Sequence, residues 1–119
     1  MKRIKMFALV LLTSLPALPA LAHHSFAMFD QTKTIELKDV TVVRFAWANP
    51  HVFLVVRSGT QTYTLEASSP ALMQRMGWRF NTVKVGNKID VAFNPLRNGK
   101  PGGSLTHARL PDGSEMVAG

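Results

Sequence analysis

Four histidines carry most of the chemistry this chain offers: His23 and His24, which are adjacent, His51 and His107. The chain has no cysteine, so thiol nucleophiles, thiolate ligands and disulfides are all excluded. Imidazole nitrogen is a ligand for copper, zinc and nickel, and a histidine at a free chain start adds its own amine as a second nitrogen. The residues ahead of His23 predict such a start. Lys2, Arg3 and Lys5 form a basic n-region, and Met6 to Leu15 is an apolar run too short to span a bilayer. Ala20-Leu21-Ala22 is a small-x-small cleavage site. Together they read as a secretory signal peptide over residues 1–22, cleaved after Ala22. The mature protein is then expected to be periplasmic, to begin at His23 and to have no membrane span.

From that start, His23 can hold one metal ion through its amine and a ring nitrogen. A third nitrogen from His51 or His107 completes a T-shaped set, the histidine brace. Alternatively, His24 in second position binds with the amine and the intervening amide nitrogen. Both sets favour copper, because Cu(II) takes tetragonal nitrogen sites and tops the divalent affinity order. Met28, Met73, Met76 and Met116 are soft sulfur donors for Cu(I), although Met73 and Met76 have the spacing of a helix core. Signals for catalysis are thin. The chain lacks G-x-S-x-G, a phosphate-binding glycine loop and H-E-x-x-H. Its seven carboxylates are scattered, and Ser68 and Ser69 are better explained as helix caps than as nucleophiles. The expectation is a binding module, not an enzyme.

Charge bears on partners. The whole chain carries +7, but without Lys2, Arg3 and Lys5 there are 11 basic against 7 acidic residues, a net +4. In an exported domain that balance describes a soluble surface and not a nucleic-acid footprint.

These residues need elements to position them, and the stretch Phe45-Ala46-Trp47-Ala48-Asn49-Pro50-His51 organises the rest. Residues 34–47 are rich in Val, Thr, Ile and Phe and read as a first strand. Ile35 and Leu37 lie in one alternation phase and Val40 and Val42 in the other, which predicts a bulge near Lys38-Asp39. Pro50 breaks the strand. His51 to Arg57 and Thr60 to Glu66 read as strands two and three around a Ser58-Gly59 turn. In strand three, Tyr63 and Leu65 share one face, with Thr62, Thr64 and Glu66 on the other. Ser69-Pro70 starts a short helix with Leu72, Met73 and Met76 as its stripe, and Gly77 stops it. Trp78 and Phe80 are expected to return to the core. Lys88 to Asn94 reads as strand four, with Ile89, Val91 and Phe93 inward. Ser104 to Leu110 reads as strand five, and Glu115 to Ala118 as a short terminal strand.

Three strands, one short helix and two strands is the element order of an OB-fold, an all-β five-stranded small barrel; a small β-sandwich is the alternative. One domain, residues 23–119, follows. An OB-fold presents ligands to strands two and three and to the loops joining strands one to two and four to five. The first of those loops carries Trp47, Asn49 and His51, the second carries Arg97 and Lys100, and His107 lies just beyond it. That rim suits an anionic small ligand or a periplasmic protein if it holds no metal. Trp47, Phe53 and Tyr63 are placed where single-strand-binding OB-folds stack bases, but aromatics fill small cores by default.

The segments AHHSFAMFD, FAWANPH, SPALMQRMGW, PLRNGKPGG and LPDG resemble a family of small exported bacterial proteins of unknown function. The resemblance covers nearly the whole mature chain and implies export and one domain, without implying any chemistry. It places His23, His24 and His51 inside the motifs that mark the family. Lys38-Asp39 and Thr41-Val42-Val43-Arg44 depart from its glycine-containing pattern, which bears on the bulge. Geometry sets a condition on the metal reading. The ten residues from His23 to Thr32 extend at most about 33 Å, and the first strand, if straight over about 12 of its residues, runs roughly 40 Å away from them. The histidines meet only if the first segment folds back along a curved strand.

Overall fold

A twelve-residue strand, β1 (Ile35–Ala46), bends far enough to serve both halves of one sheet. Its first part pairs antiparallel with β4 (Lys88–Pro95), and its last part pairs antiparallel with β2 (Phe53–Ser58). The bend lies at the expected bulge. Pairing with β4 shifts register between Leu37 and Val40. There Asp39 adopts φ 52°, and its amide donates to the Asp90 carboxylate at 2.8 Å. A short polar side chain tolerates that left-handed backbone, so aspartate does here what a glycine would otherwise do. Inward side chains change phase across the bulge, and Val40 and Val42 are fully buried.

The computed structural model describes residues 26–119. Strand β3 (Gln61–Glu66) forms a hairpin with β2, and Ser58 faces Gln61 across the turn Gly59-Thr60. The two central residues are therefore one position later than the Ser58-Gly59 expectation. Strand β5 (Gly102–Arg109) pairs antiparallel with β4 and returns to β3, where it pairs in parallel from Gly102 to Ser104. That last pairing closes five strands in the order β3-β2-β1-β4-β5 into a barrel, the OB-fold topology. A three-residue strand, β6 (Glu115–Val117), lies antiparallel outside β5. Strand β5 begins two residues earlier than its alternation suggested. Gly102 and Gly103 belong to the sheet and are buried.

Helix α1 (Pro70–Arg75) joins β3 to β4. Ser69 caps it, accepting from the Leu72 amide at 3.3 Å, and Pro70 opens the first turn. Of the predicted stripe only Met73 is fully buried, with Met76 packed against the core, whereas Leu72 is about half exposed. Trp78 is fully buried and donates its indole N–H to the Val117 carbonyl at 2.7 Å. Phe80, expected beside it, is 70% exposed. Two-residue spacing puts side chains on one face only in a strand, and Arg79 to Thr82 is a turn. Replacing Ser69 by Ala should lower stability by about 1 kcal/mol, the usual worth of a serine cap. Urea titration followed by circular dichroism checks this, with the slope unchanged.

No helix among the described residues is long and apolar enough to cross a membrane.

Candidate functional site

The hairpin register places a histidine and a carboxylate side by side. Phe53 faces Glu66, and beyond the strand ends Val52 continues the ladder with Ala67 and Ser68. Val52 points inward and is buried, so its neighbour His51 points outward, diagonal to Glu66 on the same face. His51 Nδ1 lies 2.6 Å from Glu66 Oε1, with both side chains partly exposed. The bond commits Nδ1 as the donor and makes Nε2 the nitrogen that carries the lone pair. Its corner is firmly held. Trp47 packs against the core and meets Phe45 edge to face at 5.8 Å. The Asn49-Pro50 peptide is cis, with Asn49 exposed.

His51 and Glu66 open into a groove of about 500 Å³. Its polar side includes Ser68, Ser104 and Thr106, and its apolar side includes Phe26, Phe29 and Leu72. The first described segment reaches this groove because it is tied to the start of the β4–β5 loop. Phe29 is buried and forms an isolated antiparallel bridge with Leu96. The Asp30 amide donates to Pro95 O at 2.8 Å, and the Arg97 amide donates to Met28 O at 2.9 Å. Arg97 Nε also donates to Ala27 O at 3.1 Å. Asp30 is the polar end of this clasp. A hydrogen bond from the Thr32 hydroxyl, then one from its amide and the charges of Arg97 and Lys33, hold its carboxyl below the usual range against partial desolvation. Of the three large hydrophobic residues in this segment, only Phe29 is buried. Phe26 and Met28 are mostly exposed.

The remaining predicted residues separate. His107 is exposed on β5 and faces a second cavity of about 550 Å³ with Glu36, Lys38, Asp90, Arg109 and Glu115. Arg109 and Glu115 pair there; that hydrogen bond, and then the Arg109 charge, holds the Glu115 carboxyl below its ordinary value. Lys100 is exposed, and its amide is bound by the Asn98 side chain at 2.9 Å. His23 and His24 lie outside the described residues. Among the described residues no three of His, Cys, Asp and Glu gather as a ligand set.

A model for the family of unknown function DUF6152 matches residues 11–106. The chain belongs to that family. The match spans every barrel strand through most of β5 and includes the His51–Glu66 pair and every groove residue except Ala118 and Gly119. Neither a curated protein nor a solved structure matches this member.

Glu66 is the site residue that inspection of motifs missed, and a signal for it was present. Alternation puts Glu66 on the outward face of its strand, and counting back from the two-residue turn sets it diagonal to His51. Either placement of the turn keeps the two close: a turn at Ser58-Gly59 would set them directly opposite, and the turn at Gly59-Thr60 sets them diagonal.

Proposed function

We propose that this family member is an exported, non-catalytic binding module that takes up one copper ion through the mature chain start and His51. The observation that supports this most is the His51–Glu66 bond beside the groove that Phe26 lines. A carboxylate on one imidazole nitrogen orients the ring and raises the basicity of the other, the arrangement common behind metal-bound histidines. His23 lies three residues before Phe26, about 10 Å of extended chain. The clasp of residues 27–30 on 95–97 supports the fold-back that this reading needs, because it carries Phe26 to the groove. Cleavage after Ala22 would supply the amine. His23 then contributes amine and ring nitrogen, and His51 Nε2 the third nitrogen. His107 faces the other cavity, so His51 is the favoured partner.

The test is titration of the chain beginning at His23 with Cu(II), followed by visible absorption and electron paramagnetic resonance. One equivalent should bind in a tetragonal nitrogen environment. His51→Ala should lose the nitrogen-rich signal, whereas His107→Ala should keep it. Glu66→Gln should bind about 10- to 100-fold more weakly, as loss of an outer carboxylate usually does. A titration with no stoichiometric site, or with one indifferent to His51, would refute the proposal.

A further inference from the structure

Residues 67–89 contain no Asp or Glu but carry Arg75, Arg79, Lys84 and Lys88. Among the described residues, none of these four ion-pairs with a carboxylate. The same segment holds the two most exposed large apolar side chains described, Val85 at 72% and Phe80 at 70%. Each sits at the second position of a tight turn. Thr82 N donates to Arg79 O at 3.0 Å, and the Thr82 hydroxyl accepts from the Arg79 amide at 2.7 Å, which puts Phe80 at the tip. Asn87 N donates to Lys84 O at 3.0 Å, and its side-chain oxygen accepts from the Lys84 amide at 2.9 Å, which puts Val85 at the tip. Val83 between them is buried, and the second turn is bonded to β1 through Val42. Both tips are therefore held out rigidly from the barrel, so little ordering entropy opposes their insertion.

We infer that this double turn docks the domain on an anionic lipid surface, with Phe80 and Val85 entering the headgroup boundary and the four cations meeting lipid phosphates. Apolar tips spaced by lysine and arginine fit an interface that is soft, flat and negatively charged. A protein partner would need a concave or continuous apolar surface to bury them. Neither groove described above includes any residue of the two turns. The inference does not depend on the metal site.

The test uses the chain from His23, because residues 1–22 contain an apolar run that would partition into lipid by itself. That chain keeps every core residue, Phe29 to Ala118. It is sedimented with vesicles of phosphatidylcholine alone or of phosphatidylcholine and phosphatidylglycerol in equal parts, at low and high salt. Binding should appear only with the anionic vesicles and fade at high salt. Lys84→Gln and Lys88→Gln should each lower the partition coefficient about fivefold, from roughly 1 kcal/mol per cation at an anionic surface. Phe80→Ser should lower it about tenfold by removing an inserted aromatic ring. All three positions are exposed, and an unchanged melting temperature confirms that each variant is folded. Absence of binding to anionic vesicles at low salt overturns the inference. So does binding that Phe80→Ser leaves unchanged, or competition by polyglutamate that is equal for wild type and Phe80→Ser. Those last two results would assign the surface to an acidic protein.

Discussion

Gly103→Ala should cost the domain about 4 kcal/mol or more, a loss reserved for a short list of severe mechanisms. Gly103 pairs with Leu65 of β3 in parallel and with Pro95 of β4 antiparallel. It is therefore the residue at which the three strands meet and the barrel shuts. A Cβ there would lie 2.6 Å from Phe93 Cδ2 and 2.9 Å from the Asn94 carbonyl carbon, and would collide with the Asn94 oxygen. The obstacle is backbone, which no rotamer change relieves, and Phe93 itself is buried to 1%. Relief requires separating β5 from β4 at the closure. Gly102 is in a similar position, since a Cβ on it would lie 2.5 Å from Thr64 O across the parallel pairing. Domains of this size are stable by about 5–15 kcal/mol, so the variant should retain at most a thin margin. Gly113→Ala is the control. Its φ is 87° but a Cβ would meet nothing within 4 Å, so its cost should be only about 1 kcal/mol of backbone strain. Urea midpoints of the three proteins check the ordering. A Gly103→Ala midpoint equal to that of Gly113→Ala would refute the close-approach argument.

Acetylation of the His23 amine should lower copper affinity by a factor on the order of 10² to 10⁴. That is the usual worth of linking a second ligand to the first. The acetyl group converts the amine into an amide, supplies no new amine and leaves every side chain in place. In the proposed set, the amine and ring of His23 chelate as a unit, and His51 Nε2 alone holds a metal weakly. The same set predicts a pH dependence. The amine, whose ordinary pKa is about 8, must lose a proton before it binds. Protons therefore compete with metal for the amine, and affinity should fall steadily as the pH is lowered from about 8 to about 6. Competition titration against a chelator of known affinity, with both chain starts and across that range, measures both effects. Equal affinity for the two chains would remove the amine from the site.

The elements that local chemistry specifies were legible in the residues. The phase slip between Leu37 and Val40, the Ser69-Pro70 start, and the inward alternation of Ile89, Val91 and Phe93 each follow from neighbouring side chains. All three stand in the structure within a residue or two. Their order, with a curved first strand, was enough to name an OB-like barrel, because a small sheet with one bent strand has few ways to close. Phe80 was misplaced because alternation assumes an extended chain, and a hydrogen-bonded turn breaks that assumption. The glycine pair at 102–103 reads as loop from the residues alone, because what demands glycine there is the approach of Thr64 on β3 and Asn94 on β4, which only strand pairing brings in.

At the corner around Asn49-Pro50, the residues alone set a histidine just past a break between two strands, on the rim of a barrel. Only the tertiary structure decided what surrounds it. The hairpin register gives His51 its carboxylate, and the clasp of residues 27–30 on 95–97 brings the first segment to the same groove. His107, on β5 and separated from β2 by β3, faces a different cavity. The physical reason is that side-chain type and spacing act over a few residues, while pairing register and strand closure are settled by contacts between distant ones. A groove lined by the first segment, the corner before β2 and the end of β3 therefore becomes readable only once the barrel is shut.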